Sequence, residues 1–264
     1  MQALALGILQ GSTEFLPISS SGHLALAQNL LPGVSGPLLL FDVVVHLGTL
    51  LAIAVLFRRR LWELLRAALS YLPGAAAVPD ADRRWLGLIL LGSIPTALIG
   101  LALRDVSESL LERPAGVGAA LLVTAILLVV SERVGRRARG SAELGALDAL
   151  LVGTAQGLAV IPGISRSGAT VATGLWRDLR GDVAVEFSLL LSMPAVAGAA
   201  LLVGLESGAE LGGGQLAPLA VGFSAALGSG LLAVKVLQWV VTRRRLLPFA
   251  VYCAVLGAGA VALG

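Results

Sequence analysis

Five nearly uninterrupted apolar stretches, Pro37–Phe57, Trp85–Leu103, Ala115–Val130, Phe187–Leu205 and Leu216–Val241, approach the length of a bilayer crossing. A helix needs about 20 mainly apolar residues to cross the hydrocarbon layer. Leu247–Leu263 makes a sixth and shorter candidate. Only 13% of the 264 residues are charged, against about 25% in soluble domains. Lipid must therefore be part of the solvent, and the expected fold class is all-α and polytopic, in a single membrane domain. The lone cysteine, Cys253, excludes an internal disulfide and a cysteine-rich metal centre. The net charge is only +3, and the basic residues gather at the ends of apolar stretches. That pattern speaks of topology and against a nucleic-acid partner. No basic segment precedes the first apolar run, which Gln10 and Glu14 interrupt, so no cleaved signal peptide is expected.

Met1–Leu31 and Leu144–Trp176 are apolar but broken in the middle by Gly, Ser and Pro. Neither half of either region is long enough to span, so both are expected to be re-entrant helical hairpins. Broken backbone survives at membrane depth only where protein or a water-filled cavity covers it. The arginines orient the chain. Arg58, Arg59, Arg60, Arg66, Arg83 and Arg84 lie on one side, with Arg133, Arg136, Arg137 and Arg139, then Arg177 and Arg180, then Arg243, Arg244 and Arg245. The positive-inside rule makes that side cytoplasmic. Gly33–Gly36 and the Glu206–Gln215 loop should then face outward. Six spans and two hairpins satisfy all of these assignments.

The broken regions resemble each other. Gln10-Gly11 matches Gln156-Gly157, and Ile18-Ser19-Ser20-Ser21-Gly22 matches Ile164-Ser165-Arg166-Ser167-Gly168, both at an offset of 146 residues; Phe41 and Phe187 keep that register. The spans that follow the two hairpins run in opposite directions. Residues 1–139 and 144–264 are therefore expected to be inverted-topology repeats, whose interrupted segments mark a binding site near the midplane.

Glu14, Ser19, Ser20, Ser21 and His23 fall within ten residues of otherwise apolar sequence. An ionisable group at membrane depth is a functional candidate with a partner, although Glu14 and His23 could also lie at the interface, and the serines could simply pack helices. Arg166, set among Gly163, Ser165, Ser167 and Gly168, could clamp a phosphate oxyanion with its fork, hydroxyls and backbone N–H groups. It could equally pair with Glu14 to hold the hairpins together. Gln10, one helical turn before Glu14, could join it on a hard cation such as Mg²⁺ or Ca²⁺. His23, three residues after Ser20, could serve a nucleophile as base. Asp42 and His46 share a face in the first span; they could support the site, and the reading preferred is that they lie near the outer interface. Glu186 is expected to cap the fourth span.

The segment from Gln10 to His23 resembles the first signature of the undecaprenyl-diphosphate phosphatase family of the bacitracin-resistance type. Pro162-Gly163-Ile164-Ser165-Arg166-Ser167-Gly168-Ala169-Thr170 resembles the second, and Glu186-Phe187-Ser188 with Pro194 the segment after it. The resemblance runs along essentially the whole chain. It implies a phosphatase of the bacterial inner membrane that removes the terminal phosphate of a polyprenyl diphosphate lipid and so recycles the carrier for peptidoglycan. It also implies an active site opening to the outer, periplasmic face, a divalent cation, a fold of inverted repeats and often a homodimer. Glu14, Ser20, His23 and Arg166 carry over as the important positions. Gln10 stands where many members have glutamate, and it cannot be a charged ligand or a base.

The expected chemistry has Arg166 and a cation held by Glu14 gripping the diphosphate, while Ser20 attacks and His23 takes its proton. A water activated by His23 or Glu14 is the alternative attacking group. Ser165, Ser167, Gly168, Ser19 and Ser21 are expected to line the phosphate site. The rival functional class is a polyprenyl-phosphate transporter or flippase with the same site. A purely structural membrane subunit would leave Glu14 and Arg166 unexplained.

Overall fold

The computed structural model describes residues 2–30, 38–74, 76–207 and 216–264. Gly33–Gly36 and residues 208–215, expected to face outward, lie outside these described residues. The described chain is helical, with no strand. In order the helices are α1 (Gln2–Phe15), α2 (Ser20–Leu30), α3 (Leu38–Leu56), α4 (Arg58–Leu69), α5 (Asp80–Ala102), α6 (Arg104–Leu111), α7 (Pro114–Arg133), α8 (Ala146–Leu158), α9 (Arg166–Trp176), α10 (Gly181–Ser207), α11 (Leu216–Thr242) and α12 (Leu247–Leu263).

Among the described residues, α5, α7, α10 and α11 are long and apolar enough to cross a membrane, and α3 joined to α4 makes a fifth candidate bent by 87°. The sixth expected span is α12, whose 17 residues reach about 25 Å. The chain is a multi-pass membrane protein. Its outer surface shows the solvent that shaped it: Leu90, Ile94, Leu98 and Leu101 form one exposed stripe along α5. In lipid such a stripe costs nothing, whereas in water it would drive aggregation. Helix starts follow local chemistry. Pro114 opens α7, where its missing N–H is not needed, and Asp80 and Asp82 sit in the positive first turn of α5. The fourth span starts at Gly181, so Glu186 is inside α10 and does not cap it. Glu186 instead faces Arg60 at 3.5 Å.

The arms of the broken regions have 14, 11, 13 and 11 residues, at most about 21 Å each against a hydrocarbon layer of about 30 Å. Each pair of arms packs together, α1 with α2 and α8 with α9. The first arms pack crosswise: α1 lies along α11, and α8 lies along α5. Glycines permit both approaches. A Cβ on Gly7 would lie 2.4 Å from the Gly222 carbonyl oxygen, and one on Gly153 would lie 2.0 Å from that of Gly92. Gly7 with Gly11 and Gly153 with Gly157 repeat the four-residue spacing at the 146-residue offset, as close membrane helix pairs require. α7 and α12 pack against each other, and α3 against α10. The largest apolar core gathers on α10 around Phe187, Leu190 and Leu191.

The arginine-rich end of the second hairpin is closed by Asp148, 1% exposed. Its carboxylate accepts from Arg139 Nη2 at 2.6 Å, from Arg177 Nε at 2.8 Å and from the Gly145 N–H at 2.9 Å. The hydrogen bonds to Asp148 push the Arg139 guanidinium further up, so it remains charged.

Candidate active site

Proline ends each first arm. Pro17 follows α1, and Pro162-Gly163 follows α8, because proline donates no N–H and biases its predecessor away from helix. Gly163 has φ 99°, and a Cβ there would meet the Val117 carbonyl oxygen at 2.4 Å. Only glycine fits this turn against α7. Each second arm then begins on a serine cap. Ser19 Oγ accepts from the Gly22 N–H at 3.2 Å, and Ser165 Oγ accepts from the Gly168 N–H at 3.1 Å. Ser19 Oγ–Ser21 Oγ and Ser165 Oγ–Ser167 Oγ are both 3.3 Å. The same hydrogen bonds therefore recur at positions 146 residues apart.

The two tips are tied to each other. The Gly163 N–H donates to Ser19 Oγ at 3.2 Å, and Ser167 Oγ donates to the Leu16 carbonyl at 3.2 Å. Thr124 on α7 braces the second tip, accepting from the Ser165 N–H at 2.9 Å and donating to the Gly163 carbonyl at 2.8 Å. The N-termini of α2 and α9, both positive dipole ends, consequently lie beside the end of α1.

Glu14 sits at this junction with its side chain 8% exposed. Its Oε2 accepts from Ser20 Oγ at 2.6 Å and from Gln10 Nε2 at 3.1 Å. Arg166, the first residue of α9, brings Nη1 to 3.4 Å from Glu14 Oε1. That Nη1 is buried and makes no hydrogen bond among the described residues. His46 Nε2 approaches Glu14 Oε2 at 3.9 Å, and His46 Nδ1 donates to the Asp42 carbonyl at 2.7 Å, which leaves Nε2 free to face the carboxylate.

His23 is held differently. Nδ1 donates to the Ser19 carbonyl at 2.7 Å, so in the neutral ring Nε2 is the acceptor, and Tyr252 Oη donates to it at 2.6 Å. The Tyr252 ring stacks on the imidazole, with centroids 5.5 Å apart and planes 4° from parallel. Ser19 has φ 67°, a conformation that costs a non-glycine residue about 1–2 kcal/mol. The His23 backbone and ring both anchor its carbonyl, which orients the neighbouring Ser20.

Residues 3–259 match the family described as Bacitracin resistance protein BacA. The chain belongs to this family. The undecaprenyl-diphosphatase of Syntrophotalea carbinolica is 43% identical over 258 residues, which cover 97% of this chain and 96% of that one. The undecaprenyl-diphosphatase of Desulfosudis oleivorans is 44% identical over 267 residues, covering 97% and 96%. That of Korarchaeum cryptofilum is 41% identical over 266 residues, covering 99% and 98%.

In this member of the BacA family, Gln10, Glu14, Ser20 and Arg166 meet in one place. Other expected residues have different occupations. Both His23 nitrogens are engaged away from Ser20, whose proton is directed at Glu14. Ser19, Ser165 and Ser167 are 3%, 1% and 5% exposed. With the Gly168 N–H they cap helices and lace the tips together, because a tip buried in protein must satisfy its own polar groups first. Ser21 is partly exposed and bonds to Ser19. His46 stands beside the carboxylate at 3.9 Å, in keeping with the supporting role open to it. Tyr252, 229 residues from His23, carried no local signal at all: it is one tyrosine within an apolar run.

Proposed function

We infer that this chain hydrolyses undecaprenyl diphosphate to undecaprenyl phosphate and inorganic phosphate, recycling the lipid carrier of peptidoglycan synthesis and conferring bacitracin resistance. One observation carries the chemistry: Ser20 Oγ lies 2.6 Å from Oε2 of a buried carboxylate, and Arg166 Nη1, without a hydrogen-bond partner among the described residues, lies 3.4 Å from the other oxygen of that carboxylate. An activated hydroxyl beside a cationic clamp is the arrangement that phosphoryl transfer needs, since positioning and charge neutralisation dominate its barrier.

In the proposed mechanism the terminal phosphate takes the free Arg166 N–H groups. Ser20 Oγ attacks the terminal phosphorus and passes its proton to Glu14. The bond to the bridging oxygen breaks, and the lipid monophosphate leaves with the electron pair. Water then attacks the phosphoserine, Glu14 receives a water proton as the earlier one returns to Ser20, inorganic phosphate departs, and Glu14 loses the remaining proton to solvent to restore the carboxylate. His23 acts as a positioning residue for Ser19 and Ser20 in this scheme, in place of the base role expected of it.

The donor set fits a divalent cation in part. Among the described residues Gln10 Oε1 is buried without a hydrogen-bond partner, and it would join the Glu14 carboxylate as a second hard oxygen donor. Among the described residues no group of three His, Cys, Asp or Glu side chains gathers there, so the remaining ligands would come from the diphosphate. Once bound, Mg²⁺ or Ca²⁺ would neutralise phosphate charge. The arginine clusters support a cytoplasmic assignment for their side, hence a location in the inner membrane with the site opening to the periplasm. The paired packing of α1 with α11 and α8 with α5 supports inverted repeats over residues 1–139 and 144–264. A homodimer is proposed on the family resemblance alone.

The test is phosphate release from a polyprenyl diphosphate in detergent, with and without a chelator. Release that Mg²⁺ restores after chelation is the expected result. A transporter or flippase would release no phosphate. Arg166→Lys should lower kcat/KM about 100-fold or more, because an ammonium cannot reproduce the bidentate fork. Retained turnover would remove the clamp role.

A further inference from the structure

The α3–α4 elbow lies outside the chemistry of the hairpin tips and has three distinct faces. α4 leaves α3 at 87°. A helix perpendicular to a spanning helix lies in the plane of the membrane surface. One face is anchored to the protein. Leu64 and Ala67 are buried, and Arg60 reaches Asp82 at 2.9 Å while its guanidinium covers the Trp85 ring at 4.5 Å. A second face is apolar and uncovered. Trp62, Leu65 and Leu69 are 60%, 47% and 47% exposed, and their spacing sets them in one stripe. A third edge is basic. Arg59 and Arg66, seven residues apart, are exposed, and among the described residues neither side chain has an ion-pair or hydrogen-bond partner.

The elbow itself holds an open recess of about 330 Å³ lined by Leu56, Phe57, Arg58, Arg59 and Arg60. Its lining joins two apolar side chains to three arginines. We propose that the α3–α4 elbow and the outer faces of α4 form a binding site for an anionic phospholipid, with the phosphate headgroup at Arg58, Arg59 and Arg66 and an acyl chain along the Trp62 stripe. Lipid is the occupant that fits both halves of the surface. The basic edge complements a negative headgroup, and the bare Trp–Leu stripe stands at the level where a spanning helix ends, where acyl chains and headgroups meet. Long arginine side chains reach from an apolar stripe to phosphate by snorkelling. The site is separate from the hydrolytic centre and does not depend on it.

The test uses the full chain in phosphatidylcholine nanodiscs containing a minority of lipid brominated high on its acyl chains. The brominated lipid is either phosphatidylglycerol or phosphatidylcholine. The Trp62 signal is the fluorescence of the wild type minus that of Trp62→Phe. We expect brominated phosphatidylglycerol to quench this signal at several-fold lower content than brominated phosphatidylcholine. Each exposed arginine near an anionic headgroup favours binding roughly fivefold, so Arg59→Gln/Arg66→Gln should bring the two lipids close to parity. Phosphate release by this double variant serves as a fold control and should match wild type in detergent. Equal quenching by both lipids in the wild type would overturn the proposal, as would a preference that survives the double substitution. Loss of the preference on adding millimolar inorganic phosphate would reassign the recess to a soluble phosphate ligand and equally overturn it.

Discussion

Replacing Ser20 by alanine separates two roles for its hydroxyl by magnitude alone. The Ser20 Oγ–H bond to Glu14 Oε2 is 2.6 Å long, the length of a charge-assisted O–H···O⁻ contact. If the hydroxyl only orients Glu14, its removal costs one hydrogen bond to a charged group, about 1.5–3 kcal/mol. At about 1.4 kcal/mol per tenfold, that is a loss of roughly 10- to 150-fold in kcat. If Oγ is the attacking atom, its removal closes the covalent route, and losses on the order of 10⁴-fold or more follow, as for serine nucleophiles elsewhere. The expected outcome for Ser20→Ala is the second, read as initial rates of phosphate release from a polyprenyl diphosphate in detergent. The wild type, quenched in acid during turnover, should also carry phosphate on Ser20. A loss no larger than about 150-fold, which a single hydrogen bond to a charged group accounts for, would refute the serine route and assign the attack to a water activated by Glu14.

Three further substitutions follow from the packing. Tyr252→Phe keeps the ring stacked on His23 but removes the 2.6 Å bond to Nε2; kcat should fall about 2- to 10-fold with KM and melting temperature unchanged, and an unaltered kcat would dismiss Tyr252 as a positioning residue. Gly153→Ala should destabilise the protein by about 1–3 kcal/mol or more, because its Cβ would sit 2.0 Å from the Gly92 carbonyl oxygen. Gly87→Ala, with nothing within 4 Å, is the neutral control in the same thermal melt. Asp148→Asn withdraws the shared counter-charge of Arg139 and Arg177 and should cost about 1–3 kcal/mol, since both arginines are partly exposed and solvent screens the charge left behind; a melting temperature equal to wild type would show that the bonds from Gly145 and the two arginines carry little net stability.

How much of this protein is written locally depends on how far apart the interacting residues lie. Segment lengths alone separated spanning helices from arms too short to span, because a bilayer imposes one thickness on every crossing. The breaks at Pro17 and Pro162 were legible for a similar reason, since proline acts on its own neighbours. Glu14 and Arg166 stood out because polar groups are conspicuous in apolar sequence, and the serine caps repeat because an N-cap bonds only a few residues ahead. The tertiary structure decided everything that needed a partner from elsewhere. It directed Ser20 towards Glu14 and turned His23 towards Tyr252. Of the two readings open for His46 it favoured site support, 3.9 Å from the carboxylate, and it committed Ser19, Ser165 and Ser167 to holding two tips together. It also placed Glu186 opposite Arg60, inside a helix whose start lay five residues earlier than the residue itself. Periodicity and composition report which face of a helix is apolar; which helix that face meets is settled by close packing over the whole chain.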